Sequence, residues 1–244
     1  RLDRITSYAR AKTLAKKPIE ELKELRQAGL SRIHTGLETG YDSLLEYIKK
    51  GVTAAEQIEA GKRVKEAGIS LSEYVILGMG GAKMWEEHAR ETAGVLNQID
   101  PDFIRVRTLF VPPGTPLREK LDQGEFVRAS DENIVREERL LIEKLEGINS
   151  YFKSDHILNL LEEVEGKFPA DKQKMLEEID RYLKLPRMEK LNFQVGRRSG
   201  LYRRLDDLQN EEVHRRVQKA VDCMEAEGAD GVEETIYAFM GNFI

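Results

Sequence analysis

"RIHTGLETGYDSLLEYIKKGVT", residues 32–53, starts as a short β-type run, ends that run in Gly-Leu-Glu-Thr-Gly, and passes at once into an amphipathic helix. Glycines, a carboxylate and a hydroxyl are therefore crowded where a strand gives way to a helix. Working outward, the same join recurs. Upstream, Pro18 opens "PIEELKELRQAGL", with Ile19, Leu22, Leu25 and Ala28 on one face and Gly29 at the stop position, where a left-handed conformation suits glycine. Downstream, Thr53 is placed as the N-cap of "TAAEQIEAGKRVKEAG", with Ala54, Ile58, Gly61, Val64 and Ala67 in a stripe and Gly68 at its end. A strand, "SLSEYVILGMGG", follows; a helix from about Trp85 to Gln98 then leads into "DFIRVRTLFVPPGTP".

"RQAGLS" at 26–31 returns as "KEAGIS" at 65–70. Strands about 35–40 residues apart with helices between them have the rhythm of parallel βαβ units. "DRITSYARAKTL" reads as an earlier strand, which makes about four parallel strands. A doubly wound sheet and a β/α barrel fit that rhythm equally well. Three segments are expected: the β/α units in 1–125, a helical extension in 126–186, and a C-terminal segment in 187–244 with one helix, "NEEVHRRVQKAVDCMEAEG".

The chain has 244 residues, 40% of them hydrophobic and 34% charged, enough for one large domain or a domain with an appendage. No apolar stretch approaches the ~20 residues of a membrane span. A net charge of −5 argues against a surface that coats nucleic acid. The single cysteine, Cys223, rules out an internal disulfide and fits a reducing, cytoplasmic compartment. It falls in a helical stripe beside Val221 and Met224, which reads as core.

In parallel β/α architectures ligands gather at the carboxyl ends of strands. The residues there are Ser7, Tyr8 and Arg10; Gly36, Glu38, Thr39 and Gly40; Gly78, Gly80 and Gly81; and Arg107 and Thr108 with the loop Pro112–Pro116. Glycines allow close backbone approach to a ligand, and free N–H groups at a helix start favour an anion. Glu38 could accept from ribose hydroxyls, and Arg10 or Arg107 could hold a carboxylate. The same glycines would equally serve as tight turns, with Glu38 as a helix cap. His34, His88, His156 and His214 show no metal-binding spacing. Asp155-His156 reads as an acid–base pair or as an ordinary helix cap. "GRRSGLYRRLDD" at 196–207, with Arg215 and Arg216, reads as a phosphate-contacting patch or as a salt-bridged helix start.

The order Gly36-Leu37-Glu38-Thr39-Gly40, Lys50-Gly51-Val52-Thr53, "YVILG" and "RVRTLFVPPGTPL" resembles the radical S-adenosylmethionine (radical SAM) superfamily. The likeness is to the branch with oxygen-independent coproporphyrinogen oxidase, elongator-type and methylthiotransferase enzymes. It covers about residues 4–125 and extends loosely to about 185. Tyr74 stands where that branch usually has a glycine, and the usual Glu after Gly78 is displaced to Glu86 or Glu87. The resemblance implies a partial (β/α) TIM-like barrel followed by a mainly helical extension. It also implies an S-adenosylmethionine pocket: Glu38 for a ribose or amino contact, Ile76 for the adenine, Arg10 or Ser7 for the methionine carboxylate, with Thr39, Gly78 and Arg107 beside them. The family's [4Fe–4S] cluster needs three thiolates from C-x-x-x-C-x-x-C, and one distant cysteine cannot replace them.

The expectation is thus a C-terminal part of a radical SAM oxidoreductase, inactive alone, that abstracts hydrogen from an unidentified small or macromolecular substrate when whole. Its exposed sheet edge is expected to be covered by the C-terminal segment or paired in a homodimer. Two other readings stand beside it: a cofactor-free β/α enzyme with a phosphate site, and an RNA- or protein-binding module built on the arginine pairs at 196–216.

Overall fold

A computed structural model describes residues 3–226 and 228–243. Six strands form one sheet in sequence order: β1 (Ile5–Ala9), β2 (Leu30–Glu38), β3 (Ser70–Leu77), β4 (Phe103–Thr108), β5 (Tyr151–Lys153) and β6 (Glu165–Lys167). The first five run parallel and β6 is antiparallel to β5. Between them lie α1 (Ala11–Leu14), α2 (Ile19–Gln27), α3 (Asp42–Tyr47), α4 (Ala54–Glu66), α5 (Trp85–Ile99), α6 (Pro116–Asp122) and α7 (Asp131–Lys144). After the sheet come α8 (Lys172–Leu183), α9 (Arg187–Arg198), α10 (Glu211–Ala226) and α11 (Ala229–Met240). This is an α/β fold of the partial-barrel kind.

Strand alternation sorts the sheet into two faces. Ile33, Leu37, Leu71, Val75, Leu77, Ile104 and Val106 are buried beneath the helices with Val64, Leu96 and Leu141. Their neighbours along each strand, Arg32, His34, Tyr74, Ile76, Phe103, Arg105 and Arg107, are only partly covered and line the opposite, open face. The predicted cap of α4 is present as a capping box, in which Thr53 Oγ1 accepts from the Glu56 N–H and Glu56 accepts from the Thr53 N–H.

Three expectations are corrected. The sheet has five parallel strands rather than about four, and an antiparallel sixth, because β5 and β6 lie in the stretch that reads as helical. Each has three residues, too few for a period-2 pattern to show against flanking helices. Among the described residues the C-terminal segment holds three α-helices rather than one, and α11 packs on α9 and α10 instead of covering β1, whose residues 5–8 are exposed. Cys223 is exposed; Val217 and Val221 carry the buried stripe of α10 instead.

The helix side of the sheet carries ionisable groups that its apolar pattern conceals. Glu73, on β3, accepts from Thr35 Oγ1 of β2, and burial pushes its pKa up to about 8. Burial does the same for Glu138 of α7, also to about 8, with Glu163 and Glu137 adding repulsion. Both carboxyls keep in the folded chain a proton that the unfolded chain releases near 4.5. Folded-state pKa values above the unfolded ones make stability greatest below pH 4.5, falling as pH rises toward 8 and level above it. Glu73→Gln mimics the neutral form and is expected to remove part of this decline. Melting temperatures at pH 5 and pH 8.5 check it: the variant should lose less between the two than the parent does.

Candidate functional site

The site is built where β2 and β3 end. β2 leaves the ladder through a register shift between Gly36 and Glu38. Glu38 takes φ 61°, and the Thr39 N–H turns back to the Leu37 carbonyl at 2.7 Å. A three-residue turn with a non-glycine residue at positive φ at its centre costs about 1–3 kcal/mol. Gln57 of α4 holds the turn from below, its Nε2 donating to the same Leu37 carbonyl at 2.8 Å.

The turn swings the Glu38 side chain over Gly36. A Cβ at Gly36 would lie 2.1 Å from Glu38 Oε1, so the glycine clears the space that the carboxylate occupies. Because Gly36 alternates with Thr35 and Leu37, that space is on the open face. Lys50, the first residue of the Lys50-Gly51-Val52-Thr53 motif, meets Glu38 Oε1 at 2.9 Å. Gly40 answers a different need: its N–H donates to Thr92 Oγ1 at 2.9 Å, and a Cβ there would lie 2.7 Å from the Glu91 carbonyl of α5.

Beneath the rim runs a buried polar chain. Thr39 Oγ1 meets His88 Nδ1 at 2.8 Å, and His88 Nε2 lies 3.1 Å from the Ile76 carbonyl and 3.3 Å from Glu137 Oε1. The same Glu137 oxygen accepts the Gly78 N–H at 2.9 Å. Thr39, Ile76 and Gly78 are thus tied together through α5 and α7. The carboxylate beside Gly78 is Glu137, while Glu86 and Glu87 are exposed in the first turn of α5. With its amide taken by a carboxylate, the Gly78–Gly81 loop does not present the free N–H array of a phosphate cradle.

The remaining expected residues divide. Ile76 faces the open side next to the turn, and Arg107 lies 4.9 Å over the Tyr74 ring with Asp155 at 3.4 Å. Arg10 is exposed at the end of β1, as the N-cap of α1. Ser7 stands in register with Ile33, whose side chain is buried under the helices, so it shares the face turned away from Tyr8 and His34. His156 is pushed below its ordinary value by burial and by Arg107, and Asp155 serves as counter-ion to Arg105 and Arg107. His88 and Glu137 were not legible in the sequence as partners of the motif residues. Their apolar flanks and helical spacing mark core positions, and no local pattern joins residues 49 and 59 apart.

The arginine pairs divide, with Arg204, Arg215 and Arg216 exposed and the others drawn into ion pairs. Arg197 and Arg198 are buried, in ion pairs with Glu162 and Asp131. Arg203 closes on Glu162 at 2.6 Å.

A sequence profile of the Radical SAM superfamily matches residues 4–93, the stretch that contains the turn, α4, β3 and His88. Residues 4–93 are thus similar to the radical SAM superfamily. A tRNA uridine(34) acetyltransferase of Methanocaldococcus jannaschii is 27% identical over 118 residues, 48% of this chain and 22% of the relative. A biotin synthase of Chromohalobacter salexigens is 32% identical over 124 residues, 48% of this chain and 32% of the relative. The fold of an archaeal Elp3 from Methanocaldococcus infernus, with residues 1–46 deleted, superposes with a TM-score of 0.53 at 18% identity, covering 74% of this chain and 41% of that one. The matched part is less than half of each of these proteins. Within the matched segment, the turn at Glu38 and the buried Thr39–His88 contact are both complete.

Proposed function

We propose that the carboxyl ends of β1 to β4 hold S-adenosylmethionine, and that this chain is the cofactor-binding portion of a radical SAM enzyme acting on a substrate yet to be identified. The observation that carries this reading is the strained turn that lays the Glu38 carboxylate over Gly36 on the open face, within the segment that matches that superfamily. Such a carboxylate can accept from ribose hydroxyls or from the cofactor's ammonium group. Ile76 offers apolar contact to a flat ring, and Arg10 and Arg107 are the cations at the same end of the sheet. Thr39 acts through His88, so its role is to hold the rim and not to touch the ligand. When bound in a radical SAM enzyme, the cofactor supplies a 5′-deoxyadenosyl radical for hydrogen abstraction, while the protein binds, orients and shields.

An iron–sulfur cluster does not fit the residues of this chain. Cys223 is a single, exposed thiol on α10, and no group of three or more His, Cys, Asp and Glu side chains able to hold a metal occurs among the described residues. The chain by itself is therefore expected to bind S-adenosylmethionine without cleaving it. Titration monitored by amide NMR tests the reading: shifts should be largest at residues 36–40 and 76–78. No shift there, or equal shifts with ribose 5-phosphate, would overturn it.

A further inference from the structure

The half of the open face that lies before the rim is furnished for a ligand of its own. Rings from successive strands form a continuous row: Tyr8 and His34 centroids are 5.1 Å apart, and His34 and Tyr74 5.6 Å apart. Phe103 and Tyr151 form a second pair at 6.3 Å, and the Arg32 guanidinium, two residues before His34 on β2, stands 4.1 Å over Phe103. Tyr8, at the outer end, is 75% exposed.

The charge on this surface is out of balance. Arg4, Arg32 and Arg105 repel one another and, after burial, hold Arg32 and His34 below their ordinary pKa values. Asp155 answers Arg105 at 3.1 Å. Asp102 is shared with Lys65 and with the Leu71 N–H, and the Arg32 Nε donates only to the neutral Ser70 hydroxyl at 3.3 Å. This local positive excess runs against a chain whose net charge is −5. Three buried polar atoms on the same face, His34 Nδ1, Ser72 Oγ and Arg105 Nε, have no hydrogen-bond partner in the protein. Buried groups of this kind are nearly always satisfied by water or by a ligand.

We propose that this surface, built around Arg32, His34, Tyr74, Phe103 and Arg105, binds a planar organic anion: an aromatic or heteroaromatic ring carrying a carboxylate or phosphate. As the substrate class of the enzyme, the inference rests on the reading above; as a binding surface it borders the cofactor rim at Tyr74, which pairs with Gly36 and lies under Arg107, and extends from there to Arg32 and Phe103. His34 precedes Glu38 by four residues, about 13 Å along a strand. Rings take the ring, Arg32 and Arg105 take the charge, and a planar group can lie against the exposed sides of rings and guanidinium.

Calorimetric titration of the chain with 1-naphthoate, 1-naphthamide and cyclohexanecarboxylate tests this, alongside S-adenosylmethionine. Naphthoate is expected to bind saturably, with the uncharged amide and the non-planar acid at least tenfold weaker. Arg32→Gln and Arg105→Gln should each weaken naphthoate at least fivefold, and Arg32→Gln should leave S-adenosylmethionine affinity unchanged. Tyr8→Ala, at an exposed position that cannot threaten the fold, should weaken it about threefold. Equal binding of the amide, unchanged affinity in the arginine and tyrosine variants, or no naphthoate binding would each overturn the proposal. Competition between naphthoate and S-adenosylmethionine would also overturn it, by moving the anion to the rim. Loss of S-adenosylmethionine binding with naphthoate retained would instead sink the cofactor reading and keep this surface.

Discussion

Replacing Glu38 by glycine is expected to leave the protein as stable as before, or more so, while removing most of its affinity for S-adenosylmethionine. The residue sits at φ 61°, a conformation that costs a non-glycine residue about 1–3 kcal/mol. Glycine removes that strain, loses up to about 1 kcal/mol of unfolded-state advantage, and gives up an ion pair with Lys50 that is partly open to water and contributes about 0–1 kcal/mol. These contributions nearly cancel. A charge-assisted hydrogen bond to a ligand is worth about 1.5–3 kcal/mol, so affinity should fall roughly 10- to 100-fold. Thermal melts and calorimetric titration on one preparation measure both quantities. A parallel loss of stability and binding would mean that Glu38 is a structural cap with no ligand to hold. Glu38→Gln separates charge from shape: it keeps the strain and should still bind weakly.

The second large effect lies far from the rim. Asp131, in the first turn of α7, receives both Nε and Nη2 of Arg198 at 3.2 and 2.5 Å. The Arg198 side chain is 1% exposed and that of Asp131 8%. Asp131→Ala leaves a buried guanidinium with only the Leu158 carbonyl as acceptor, and stranding one partner of such a pair costs about 3–5 kcal/mol. Chemical denaturation should register a loss of that size. Asp131→Ala combined with Arg198→Met should recover most of it, because the penalty comes from the orphaned charge and the apolar pair needs no partner. A loss below about 1 kcal/mol in the single variant would show that water reaches Arg198.

These two positions also show how differently the sequence speaks. Glu38 was legible because its surroundings are local: a strand, a glycine on each side of the carboxylate, and a helix start, all within ten residues. Its φ and its reach over Gly36 were not legible, since they arise from a register shift that depends on β3. Arg198 reads as a basic patch because its partner is 67 residues away in sequence. Of the two readings of 196–207, the phosphate-contacting patch counts charges without knowing which side of α9 faces the core.

The βα alternation, the Thr53 cap, the ends of the main helices and the strand-end placement of Glu38, Ile76 and Arg107 follow from the sequence by itself, because propensity, capping and periodicity act over a few residues. Only tertiary structure decided that His88 and Glu137 tie the rim together, that two three-residue strands join the sheet, and that Arg197 and Arg198 are buried. The same holds for the row of rings and arginines across the open face. Each of these depends on contacts between segments tens of residues apart, whose meeting is set by strand register and helix docking and leaves no local trace.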